Sequence, residues 1–136
     1  MQIREVVLVA GGGGAGALLR YGVHDTWPLT TGSFPTTTLL LNLVGAFALG
    51  VVVEIGTRRG GAPAWARPLL GMGVLGAFTT FGGFTVETVQ MLDAGRTSDA
   101  VAYVVLSLVA GVMTATAGLY VTGWRGGMPV PDDGES

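Results

Sequence analysis

No cysteine and no lysine occur among the 136 residues, histidine occurs once, and only 12% of the side chains are charged. Each scarcity excludes something. Without cysteine there is no disulfide framework, no thiolate metal site and no cysteine nucleophile, and the redox compartment cannot be read. The single histidine, His24, stands beside Asp25 in or near a loop. Such a pair is ordinarily solvated, and no histidine–carboxylate cluster has metal-ligand spacing. The four serines are Ser33, Ser98, Ser107 and Ser136, none of them in a G-x-S-x-G setting. Gly11–Gly14 superficially resembles a phosphate-binding loop, but no lysine or following Ser/Thr completes it. Catalysis therefore finds little support, and an enzyme is not expected. The formal net charge is −2, and Asp132, Asp133 and Glu135 alone supply −3. The remainder is close to neutral and has no nucleic-acid footprint.

What the chain does have is apolar length and glycine. It is 49% hydrophobic, contains 24 glycines and has a mean hydropathy of +0.59. Soluble domains carry about 25% charged residues, so this is a membrane composition. Four stretches are free of charge: Val6–Leu19, Thr26–Val53, Pro68–Val86 and Ala100–Trp124. A spanning helix needs about 20 apolar residues. The last three qualify outright. The first qualifies if Arg20 lies at a helix end and snorkels, or faces a polar interior. The expected fold class is an all-α membrane protein of four transmembrane helices, near 3–24, 34–57, 67–93 and 98–123. They form one domain over 1–125, followed by a disordered acidic tail at 126–136.

Arg4, a short apolar core and small residues also fit a signal peptide. The glycines weigh against that reading, because Gly12 and Gly16 make a GxxxG packing face. Trp27 and Trp65 suit headgroup depth. Pro35 suits the first turn of the second helix, Arg58–Pro63 a turn, and Asp93–Asp99 a short polar loop. Ser107, Gly111 and Ala115 form a second small-residue face. With four spans, Arg4, Arg58, Arg59, Arg67 and Arg125 fall on one side and Arg20 and Arg96 on the other. The positive-inside rule then predicts cytoplasmic termini in a multi-pass plasma-membrane protein.

The third span holds the most unusual stretch, Gly71–Glu87, GMGVLGAFTTFGGFTVE, with five glycines and three threonines. Irregular or polar backbone at membrane depth survives only where it is buried in protein or lines a watery path. Helix three is therefore expected to be broken at its centre. Asn42, mid-helix two, either ties helices together or lines a pore. Glu54 and Glu87 lie near span ends, where interfacial solvation is the simple reading. Phe81 and Phe84 share a face, as do Tyr103 and Ser107.

GGGGAGALLRY at 11–21, PTTTLLLNLVGAFALG at 35–50 and GAFTTFGGFTVE at 76–87 resemble the signatures of the Fluc/CrcB fluoride channels, and Tyr103 and Ser107 fit that family's Y-x-x-x-S. The resemblance runs to about residue 120. It implies an antiparallel dimer with two pores, passive export of fluoride from the cytoplasm, and a structural, untransported Na⁺ at the dimer centre. By position, backbone carbonyls of Gly76 and Thr79 would hold that Na⁺. Asn42, Thr80, Phe81, Phe84, Tyr103 and Ser107 would line the pore, and Arg20 would stand near a vestibule. Glu87 matches the family's glutamate after the phenylalanine pair. The physics is consistent with this. Hydroxyl and amide donors can replace fluoride's water, and ring edges carry positive potential without a full charge that would trap the ion.

Gly82-Gly83 departs from the family's usual Ser-Thr, removing two hydroxyls and, on this reading, loosening the break. Thr37 replaces a usual glycine. The arginine bias suggests one-way insertion, hence an oppositely oriented paralogue as dimer partner. Two other readings stand beside the channel. A proton-coupled small multidrug-type exporter would need a membrane-embedded carboxylate. A non-conducting structural partner of a paralogous channel subunit would suit the glycine pair.

Overall fold

A computed structural model describes residues 2–28, 33–57 and 61–121. All regular structure among the described residues is helical. Among the described residues, four spans are long and apolar enough to cross a membrane: Ile3–Thr26, Thr36–Thr57, Arg67–Asp93 and Thr97–Val121. The chain is thus an all-helical protein with four candidate membrane crossings. The residues of the 126–136 tail, together with Arg58, Arg59 and Arg125, lie outside the described residues.

The first helix opens with the Gln2 N–H donating to the Glu5 carboxylate at 2.9 Å. It runs two residues beyond the expected end, closing where the Trp27 N–H meets the Val23 carbonyl at 2.9 Å. Arg20 is therefore inside the helix, half-buried, and not at its end. Pro35 sits immediately before the second helix, and its carbonyl accepts from the Leu39 N–H at 3.1 Å.

The third crossing is interrupted, as its glycines and threonines predict. Its proximal half, Arg67–Leu75, is π-wound. One turn at Gly76–Phe78 follows. The backbone then becomes extended at Thr79 (ψ 156°) and Thr80 (φ −142°, ψ 114°). A 13-residue distal half, Phe81–Asp93, resumes the helix. The distal half ends in a Schellman turn. Gly95 adopts φ +72°, its N–H donates to the Leu92 carbonyl, and the Arg96 N–H reaches the Met91 carbonyl at 2.8 Å. The fourth helix starts at once, so the expected Asp93–Asp99 loop is only a turn. Arg96 caps this junction by an ion pair to Asp99 at 2.7 Å.

Two glycine seams hold the crossings together. Gly12 and Gly16 are buried against the proximal half, where an added Cβ would run into the Leu69 and Val74 carbonyls. The GxxxG face expected on the first helix is therefore a backbone-to-backbone contact. The second seam joins the second and fourth helices. A Cβ at Gly50 would meet the Ala115 carbonyl, and one at Gly118 the Phe47 carbonyl. Here the expected Ser107–Gly111–Ala115 face needs correction, because among the described residues nothing lies within 4 Å of a Cβ built at Gly111. The helices cross closer to the fourth helix's end, so Ala115 and Gly118 make the contact.

Candidate functional site

The second helix is mostly leucine, valine and alanine. Thr38, Asn42 and Gly45 interrupt it at spacings of four and three, which places them on one face. That face grips the third crossing at three levels.

The lowest level is a carboxylate. Thr38 Oγ1 donates to Glu87 Oε1 at 2.5 Å, and Tyr103 OH donates to Glu87 Oε2 at 2.8 Å. Thr38 and Tyr103 are fully buried. Each Glu87 oxygen thus has a donor, which is what a carboxylate inside a membrane span requires. The expectation of interfacial solvation fails here. Glu87 lies six residues inside the end of its span, about 9 Å along a helix, and two other crossings supply its partners. Glu54 is also buried, at 5% exposure, instead of solvated. A carboxylate of the kind an exporter would need is therefore present inside a span, on the third crossing. Thr38 was not anticipated as a site residue. Its four-residue spacing from Asn42 was the available signal.

The middle level is the break. Asn42 Oδ1 accepts from the Thr80 N–H at 2.8 Å, and Asn42 Nδ2 donates to the Thr80 carbonyl at 3.2 Å. In extended backbone the N–H and C=O of one residue face the same side, so a single amide can pair with both, as a neighbouring strand would. Two such bonds contribute roughly 1–3 kcal/mol. Of the alternatives for Asn42, the tie between helices is realised, with one Nδ2 hydrogen left over. The third level is Thr79. Its hydroxyl donates to the Leu75 carbonyl at 2.8 Å, and its methyl fills the space left by Gly45, where a Cβ would overlap it.

Thr80 caps the distal half, its Oγ1 accepting from the Gly83 N–H at 2.9 Å. Its own hydroxyl hydrogen remains available. Gly82 and Gly83 do not form the break, which lies two residues earlier; they make the first turn of the distal helix. Gly83 is confined, since a Cβ there would be 2.9 Å from Thr80 Cγ2. Gly82 is exposed.

Rings ascend beside this network. Phe84 lies 5.2 Å from the Tyr103 ring and 5.8 Å from Phe81. Phe34 meets Tyr103 edge-on at 5.6 Å and 81°. Phe84 is half-buried, whereas Phe81 is 80% exposed on the single chain. Tyr103, expected as a lining donor, spends its one hydroxyl hydrogen on Glu87 and supports Phe84 from behind. Ser107, one turn further, has a buried Oγ with no hydrogen-bond partner among the described residues. Arg20 stands apart on the first helix. Gly76 opens the single turn before the break and Thr79 ends it, so their carbonyls lie where the helical hydrogen bonding stops. The break therefore sets the negative end of one half-helix against the positive end of the other.

The family model described as "CrcB-like protein, Camphor Resistance (CrcB)" matches residues 7–119. A protein of Symbiobacterium thermophilum named "Fluoride-specific ion channel FluC 2" is 42% identical over 113 residues, covering 81% of this chain and 90% of that protein. One of the same name from Streptomyces avermitilis is 40% identical over 107 residues, covering 79% and 68%. "Fluoride-specific ion channel FluC 1" of Streptomyces coelicolor is 37% identical over 123 residues, covering 90% and 77%.

Proposed function

Because the chain belongs to the CrcB family, we propose that it is a subunit of a fluoride channel that lets the ion leave the cytoplasm passively. The observation that carries this reading is the Phe81–Phe84 pair, standing at the positive end of the distal half-helix beside the Thr80 hydroxyl. Fluoride is small and strongly hydrated, so a pore must replace its water without trapping it. Here the Thr80 hydroxyl hydrogen, the spare Asn42 hydrogen and the Ser107 hydroxyl supply donors. The ring edges of Phe81 and Phe84 supply weak positive potential, and Arg20 draws anions toward a vestibule. Glu87, held by Thr38 and Tyr103, keeps the Phe84 side of the path in place without meeting the ion directly. The family match favours the channel over the exporter reading.

The exposure of Phe81 supports pairing. A large apolar ring beside buried polar groups makes a path only when a second chain closes over it, in an antiparallel dimer. At the centre of that dimer, carbonyls of Gly76 and Thr79 would hold a structural Na⁺. The donor set fits such an ion, since hard cations take oxygen ligands and these carbonyls emerge at a helix interruption. Bound there, the ion would supply fixed positive charge beside these carbonyls. The arginine distribution supports cytoplasmic termini and an oppositely oriented paralogue as the second chain. Relatives carrying the numbered names FluC 1 and FluC 2 are in keeping with that.

Fluoride-electrode efflux from liposomes tests the reading. Phe81→Ile lowers flux strongly while the purified protein elutes as before, because the exposed ring contributes little to packing within the chain. Unchanged flux in Phe81→Ile would remove the ring-edge role.

A further inference from the structure

In an unbroken helix the Thr80 N–H would donate to the carbonyl four residues back, that of Gly76. Here it donates to Asn42 Oδ1. The same amide returns a hydrogen bond to the Thr80 carbonyl, which holds Thr80 extended and prevents the helix from closing. The Gly76 carbonyl is left without its helical donor. Three residues along the same face, Gly45 admits the Thr79 methyl, while the Thr79 hydroxyl is tied to Leu75. The Thr79 side chain is thus fixed on both sides, and with it the direction of its peptide.

We propose that Asn42, assisted by Gly45, is a positioning residue for the cation: it intercepts the Thr80 N–H and so keeps the Gly76 and Thr79 carbonyls open to a hard monovalent ion. This rests on the cation reading above. It assigns Asn42 a second duty besides any donation to the anion, and it couples the second helix to a site in which the second helix supplies no ligand. The donor and acceptor ends of the amide have separable jobs. The acceptor oxygen captures the Thr80 N–H; the amide's remaining hydrogen is left for the anion.

The test uses the full chain in detergent, with thermal unfolding followed against NaCl and N-methylglucamine chloride as the Na⁺-free control. The Thr80 amide is followed by hydrogen exchange on ¹⁵N-threonine-labelled protein. In the wild type, Na⁺ raises the unfolding midpoint, and the Thr80 amide is protected even without Na⁺. Asn42→Ala requires about tenfold more Na⁺ for half the effect, and its Thr80 amide exchanges faster. Asn42→Asp keeps the acceptor and loses the donor, so its Na⁺ requirement stays at or below that of the wild type although fluoride flux falls. Gly45→Ala shifts the Na⁺ requirement upward through Thr79, and it decides the matter if Asn42→Ala does not yield a monodisperse protein. An unaltered Na⁺ requirement in the folded Asn42→Ala or Gly45→Ala protein overturns the proposal and leaves the cation reading standing. So does rapid exchange of the wild-type Thr80 amide in Na⁺-free buffer. A wild type indifferent to Na⁺ removes the cation reading, and the proposal with it.

Discussion

Thr38 and Tyr103 each have one hydroxyl hydrogen, and both are spent on Glu87. Replacing either hydroxyl leaves one half-buried carboxylate oxygen without a donor. We expect Thr38→Val and Tyr103→Phe each to cost about 1–3 kcal/mol of stability, read from unfolding of the purified protein in mixed micelles. The double variant should depart from the sum of the two, since both act on one carboxylate. The sequence alone places Glu87 on a helix but does not disclose its partners. Thr38 is 49 positions away and Tyr103 16, so the contact exists only once three crossings are packed. Propensity and charge counting see a glutamate a few residues from a span end and read it as wetted. Asn42 was more legible, because an amide amid leucines must have partners in the membrane. That its partner is the backbone of a single extended residue needed the structure.

At the scale of the helices, the break was readable and its mechanism was not. Glycine and threonine density marked the third crossing correctly. Gly82-Gly83 were expected to loosen the break, yet those glycines are helical and the extended residues are Thr79 and Thr80. The reason is that capping decides where a helix restarts. Thr80 supplies the cap for Gly83, and Asn42 supplies a competing partner one peptide earlier. Helix packing divides the same way. Gly12 and Gly16 pack as their spacing suggests, but Gly111 faces open space and Gly118 takes the seam instead. Small-residue spacing identifies a possible contact; the crossing point selects which one is used. Gly16→Val should therefore disrupt folding, since its side chain would enter the Val74 backbone. Gly111→Ala should be neutral or slightly stabilising, as glycine costs a helix interior about 1 kcal/mol relative to alanine. Yield and monodispersity on gel filtration, measured on both variants, check this contrast; a tolerant Gly16 would contradict the first seam.

For the molecule as a whole, four crossings and their order were available from uncharged run lengths alone, because bilayer thickness fixes how long an apolar stretch must be. Which face of each crossing meets another chain was not, since lipid and a partner surface can both be apolar. Phe81, 80% exposed beside a buried polar network, is where that ambiguity matters most. With a paralogue as partner, liposomes holding this chain alone should release fluoride slowly, and those holding both chains rapidly. Fast release by this chain alone would instead establish pairing of identical copies. The two glycine seams bear on how such a molecule is made. The first and third crossings are the least apolar of the four spans, and one seam joins these two to each other. During synthesis the first helix enters the membrane early, and the interrupted third crossing, with its glycines and two extended residues, follows after the strongly apolar second. Its landing place is then already present in the bilayer. A weak first helix with a glycine face thus serves as the receiving surface for a crossing that has little claim on the membrane by itself, so insertion of the third span should fail in chains from which the first has been removed.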